Sequence, residues 1–195
     1  MAIRSLKNNT FSRSLLVGNS YYIPPAFEWI ASASGTGSSN TITFSSIPQT
    51  YKHLQIRMLA SNTNTGTGWS GLLVRFNSDS GSNYTRHYLS GQGSAASAGA
   101  GTSQTSAFID NVVSRAGNTN NLAATIIDLH DYVSTSKNTT LRGIGGIDLN
   151  GSGVVNLVSN LWLNTSAVNS ISLIAEQNSW TTTSSFALYG IKAGA

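Results

Sequence analysis

Hydrophobic and polar residues alternate in short bursts along most of this chain, and runs of Gly, Ser, Asn and Thr separate the bursts. The clearest burst is YKHLQIRMLA, residues 51–60. Leu54, Ile56 and Met58 take one parity while Gln55 and Arg57 take the other, the period-2 pattern of a half-buried strand. Its lead-in, TITFSSIPQT at 41–50, reads as a strand and a turn, with Pro48 where no ladder hydrogen bond is required.

Similar bursts lie at 27–33, 71–77, 83–91, 106–113, 137–149, 154–163, 170–176 and 185–193. The SDSGS turn at 78–82 is expected to fold 83–91 back on 71–77. LAATIIDLHDYV at 122–133 has helical length, but the β-branched pair Ile126-Ile127 and the Asp128/His130 alternation favour a strand. Glycines at 143–146 mark a bulge or a close backbone approach. NGSG at 150–153 is the strongest hairpin signal in the chain, and 154–163 with 170–176 reads as the next pair. GQGSAASAGAGTSQT at 91–105 reads as a small-residue loop, either flexible or wrapped closely against a surface. About ten short strands joined by polar turns predict an all-β fold, an antiparallel two-sheet β-sandwich of jelly-roll type. It is expected to occupy residues 27–195 as one domain. Residues 1–26 show no period and end in Pro24-Pro25, the pattern of an extended N-terminal arm.

Composition sharpens this picture. Charged residues are only 9% of the 195, against ~25% in ordinary globular domains. Ser, Thr, Asn and Gly make up nearly half. Such a surface is solvated by hydroxyls and amides, as in β-rich extracellular, lectin-like and virion proteins. Cysteine is absent, which removes disulfides, thiolate metal sites and a Cys nucleophile. No apolar run approaches the ~18 residues of a membrane span, and Leu15-Leu16-Val17 is too short for a signal peptide, so no membrane role is expected and synthesis in a cytoplasm is. The net charge of +4 is concentrated: Arg4, Lys7 and Arg13 precede residue 26 and no acid does. A nucleic-acid binder would carry its cations on the folded face, so nucleic acid is not expected as a partner. The arm instead suits an acidic protein surface ahead of phosphate, with Arg4, Lys7, Phe11, Arg13, Leu15, Leu16, Tyr21 and Tyr22 as its binding residues.

Candidate chemistry is sparse. The loop 77–83 spaces oxygens like a calcium site, but Asp79 is its only carboxylate and a tight turn accounts for it better. Asp128 and His130 share a strand face with Asp131 directed away, and His53 and His87 lie on other strands, so no metal is expected. Glu28 and Glu176 are the only glutamates, and no G-x-S-x-G elbow occurs; neither an enzyme nor a cofactor is expected. Among the aromatic residues, Trp69 and Trp180 lie in or beside polar loops, where they read as exposed interface or glycan contacts, whereas Trp162 reads as core.

Three segments carry a family resemblance: ITFSSIPQTYKHLQIRMLA at 42–60, RFNSDSGSNYTRHYL at 75–89 and SFALYGI at 185–191. Together with LWLNTSAVNSISL and the arm, they resemble a family of tailed-phage virion proteins found widely in phages of aquatic bacteria. The shared elements mark strands and turns rather than a chemistry. The resemblance implies a virion location with assembly in the host cytoplasm. It implies a role as capsid decoration (cement), head-fibre or tail accessory protein, with the major capsid protein or another virion protein as partner. By analogy with jelly-roll decoration proteins, a homotrimer is expected. The other reading is a tail or fibre module whose loops bind a host glycan.

Overall fold

The computed structural model describes residues 26–118 and 120–192, together with the backbone of 15–17 and 20–22. Among the described residues the fold is all-β, with fourteen strands. They are β1 (Leu15–Val17), β2 (Ser20–Tyr22), β3 (Phe27–Ser34), β4 (Thr41–Phe44), β5 (His53–Asn62), β6 (Trp69–Phe76) and β7 (Tyr84–Gln92). The remainder are β8 (Ala95–Gln104), β9 (Ala107–Arg115), β10 (Ala123–His130), β11 (Thr139–Asp148), β12 (Gly153–Trp162), β13 (Ile171–Ala175) and β14 (Ser185–Ile191).

β1 and β2 form a separate two-stranded ladder within the expected arm, where the sequence shows no strand period. The other strands form one large, mostly antiparallel sheet. One stretch of it runs β3-β14-β5-β10-β11-β12-β7-β8, and the other runs β4-β13-β6-β9. They are joined where Ser61 and Asn62 at the end of β5 pair in parallel with Ser114 and Arg115 of β9. β9 also packs over β7, β10, β11 and β12. The core lies there. Leu54, Ile56 and Met58 point into it, as their parity predicts, and meet a cluster that includes Leu72, Val74, Ile109 and Leu173.

Within 122–133, Ala123–His130 form strand β10, as the β-branched pair favours. The NGSG hairpin joins β11 to β12, with Asn150 at φ 56° and Gly151 at φ 106°, the left-handed region such a turn requires. Glycines 143–146 produce no bulge, since the register runs unbroken through them. They are instead a close approach: a Cβ on Gly146 would lie 2.1 Å from the Val154 carbonyl oxygen.

Several expected pairings are corrected. β6 and β7 do not form a hairpin; β6 lies between β13 and β9, and β7 between β12 and β8. β12 and β13 do not pair either, because the chain crosses from one stretch of sheet to the other between them. The expected loop at 91–105 is mostly strand β8, hydrogen-bonded along β7.

Candidate functional site

The face of β5, β10, β11, β12 and β7 turned away from the core is built from two cross-strand rows. In the first, register places Leu89, Leu157, Ile144 and Ile126 side by side on four neighbouring strands, followed by Arg57 on β5. In the second, two residues further along each strand, Gly91, Val155, Gly146, Ala124 and Leu59 line up. The six large aliphatic residues of these rows, Leu89, Leu157, Ile144, Ile126, Val155 and Leu59, are 38–56% exposed. Apolar residues occupy both faces here because the strands carry doublets: Met58-Leu59, Ile126-Ile127, Val154-Val155 and Leu157-Val158. One member of each doublet points to the core and the other to the outside. Sequence reasoning passed over this surface, and the doublets are the signal that could have revealed it.

A polar chain borders the first row. Arg57 Nε donates to Gln55 Oε1 at 2.8 Å, Gln55 Nε2 donates to Asp128 Oδ1 at 2.9 Å, and Arg142 pairs with Asp128 Oδ2 at 3.2 Å. The Arg57 guanidinium also lies over the Phe27 and Tyr189 rings, whose centroids stack 4.9 Å apart. Trp29, on the same edge strand as Phe27, is 63% exposed.

The groups that read as chemistry are bound into the structure. Asp79 Oδ2 accepts from Trp162 Nε1 at 2.7 Å and from Asn83 Nδ2 at 2.9 Å, and Asp79 Oδ1 accepts from the Gly81 amide at 2.8 Å. These donors, the Trp162 indole first, hold the carboxyl below its usual range. A carboxylate so occupied closes a turn, as the sequence favours over calcium.

His53 and His130, which the sequence places on separate strands, stand directly opposite each other with rings 5.2 Å apart. Asp131 does not face away. Its φ of 50° turns its amide onto His53 Nδ1 at 3.0 Å, and its carboxylate pairs with Lys137 and, at 2.5 Å, with Lys52. The two lysines pull the Asp131 carboxyl down to about 2. Burial first, then the neighbouring His130, lowers His53. Among the described residues no group of three His, Cys, Asp or Glu is placed to hold a metal ion.

These shifts predict a two-step acid limb. Below pH ~6.5 the unfolded chain takes up the His53 proton that the folded chain resists, so stability declines from that point as pH falls. Asp131 contributes stability above pH 3.8 that is lost as pH falls through about 2. Both lysines are about half exposed, which limits the second step to under ~1 kcal/mol. Melting temperature measured against pH should lose the first step in His53→Gln and the second in Asp131→Asn.

Among the expected contact residues, Trp180 is fully buried and corrects the expectation of exposure. Trp69 is half-buried against Ala123, Ile147 and Val154. Trp162 is core, as expected. Arg4, Lys7, Phe11 and Arg13 lie outside the described residues. Leu15, Leu16, Tyr21 and Tyr22 fall on the β1-β2 ladder, and their side chains lie outside what is described. Among the described residues no helix is long and apolar enough to cross a membrane. Comparison with protein-family models, curated proteins and solved structures finds no match to this chain.

Proposed function

We propose that this chain is a non-enzymatic virion structural protein, a capsid decoration (cement) component acting through contact surfaces. The observation that carries this reading is the open aliphatic face across β5, β10, β11, β12 and β7. It sits on a fold whose ionisable clusters are engaged in holding turns and strand ends. An apolar patch of this extent rimmed by polar groups is what an assembly component presents. The low charge content and the phage-like segments at 42–60, 75–89 and 185–191 support the same reading.

In this reading the fold is a two-layer β-sandwich. Crossings from β4 to β5, β6 to β7 and β12 to β13, which leave one stretch of sheet for the other, support jelly-roll winding. The protein assembles as a homo-oligomer on the virion. The basic arm, residues 1–26, engages the major capsid protein or another virion protein. Many such weak contacts sum through avidity and stiffen the shell. The test is co-sedimentation of the full chain with particles that lack it. Arg4→Glu, Lys7→Glu and Arg13→Glu together are expected to abolish decoration with an unchanged melting temperature; normal decoration by that variant would remove the arm from the mechanism.

A second reading rests on Trp29, exposed beside the Phe27-Tyr189 stack, an aromatic corner able to stack on a sugar ring of a host surface. Trp29→Ala would then reduce adsorption to host cells and leave particle stability unaltered. Copy number separates the two readings, since a decoration protein follows the shell's subunits and a tail part follows the tail's symmetry.

A further inference from the structure

We infer that the outer face of β5, β10, β11, β12 and β7 is a two-fold interface with a second copy of this chain. The inference goes beyond the virion reading and stands without it. The shape of the face carries it. Leu89, Leu157, Ile144 and Ile126 form a ridge across four strands. Two residues along, ~7 Å away, the same strands present Gly91, Val155, Gly146 and Ala124, a trough broken only by Val155. Beside the ridge, a hollow of about 250 Å³ is lined by Leu89, Gly91, Ala96, Ile144, Val155 and Leu157.

A two-fold axis lying in the interface between ridge and trough sets each ridge over the other copy's trough. Leu89 then meets Gly91, Ile144 meets Gly146 and Ile126 meets Ala124, a large residue on a small one in three of the four pairings. This is the interdigitation by which sheets pack face to face. The surface is large enough. Six half-exposed aliphatic side chains leave on the order of 500 Å² of apolar area, at the upper end of what a monomer carries in one patch. That is most of the ~800 Å² per partner in a standard interface, and the chain Arg57-Gln55-Asp128-Arg142 supplies a polar rim.

A three-fold assembly fits less well, since it needs two different patches meeting head to tail, whereas this face complements itself.

Sedimentation equilibrium of the full chain tests the inference. The expected mass is twice the 20.5 kDa chain. Ile144→Lys with Leu157→Lys changes only exposed ridge positions, and should weaken association at least ~100-fold while circular dichroism stays unchanged. Ala96→Leu with Ala124→Leu fills the trough while adding apolar surface. Ridge-in-trough packing expects this variant to associate at least ~10-fold more weakly. Unspecific apolar adhesion expects it to associate more tightly. A monomeric wild type, a trimer, or a filled-trough variant that associates as well as wild type overturns the inference.

Discussion

Replacing Trp162 with alanine should lower the unfolding free energy by about 3–5 kcal/mol, measured by urea denaturation. The indole is 1% exposed. It stacks on Tyr84 with ring planes 20° apart and meets Phe76 with centroids 5.5 Å apart. Its Nε1–H is the first of the donors that hold Asp79. Tyr84 closes the same knot: its hydroxyl accepts from the Phe76 amide at 3.1 Å and donates to the Asp79 carbonyl at 3.2 Å. Burial pushes that phenol up to about 12, so it stays a donor throughout the ordinary pH range. The knot ties the crossing between β6 and β7 to the end of β12, which no hairpin ladder secures. Trp162→Phe keeps one aromatic ring but removes the donor and part of the buried volume, so its cost should be ~1–3 kcal/mol. Equal losses in the two variants would show that the retained ring contributes nothing. No loss in Trp162→Phe would show that the Asp79 bond contributes nothing.

The sequence made side-chain parity readable because parity is local. Leu54, Ile56 and Met58 alternate with polar neighbours, and burial follows that alternation. The β11-β12 hairpin was equally readable, because an Asn-Gly turn encodes its own geometry. Strand partners were not readable where the chain changes from one stretch of sheet to the other. A short turn such as SDSGS suits a hairpin, yet here Asp79, Asn83 and Trp162 bend it into a crossing. β8 was missed for a different reason. Ala, Gly and Ser carry neither period nor propensity, so its extension comes from pairing with β7, a tertiary cause. The outer aliphatic face was legible in principle, since the doublets on β5, β10 and β12 cannot bury both members in one core. The Asp131 cluster was not, because it depends on one residue with positive φ at the end of β10.

Trp180 separates the loop-contact reading from the structure more sharply than any other residue. An exposed sugar or partner contact at this position would tolerate alanine, with binding lost and melting temperature kept. The structure predicts the reverse. The Trp180 side chain is fully buried, edge-on to Phe186 at 5.0 Å, with Nε1–H directed at the Leu173 carbonyl at 3.3 Å. Its backbone is fixed as well: its amide donates to the Ser39 carbonyl at 2.9 Å and its carbonyl accepts from the Gly37 amide at 2.8 Å. It therefore plugs the place where the 35–40 loop, β13 and β14 meet, and Gly35 is needed there because a Cβ would lie 2.0 Å from the Thr181 carbonyl oxygen. Trp180→Ala should cost about 3–5 kcal/mol, a fall of roughly 10 °C in melting temperature for a chain of this length. Trp69→Ala, at a half-buried position on a smaller cluster, should cost under about 2 kcal/mol. A Trp180→Ala protein that melts with the wild type would show that the side chain is not the plug described, and would return it to the surface as a contact residue.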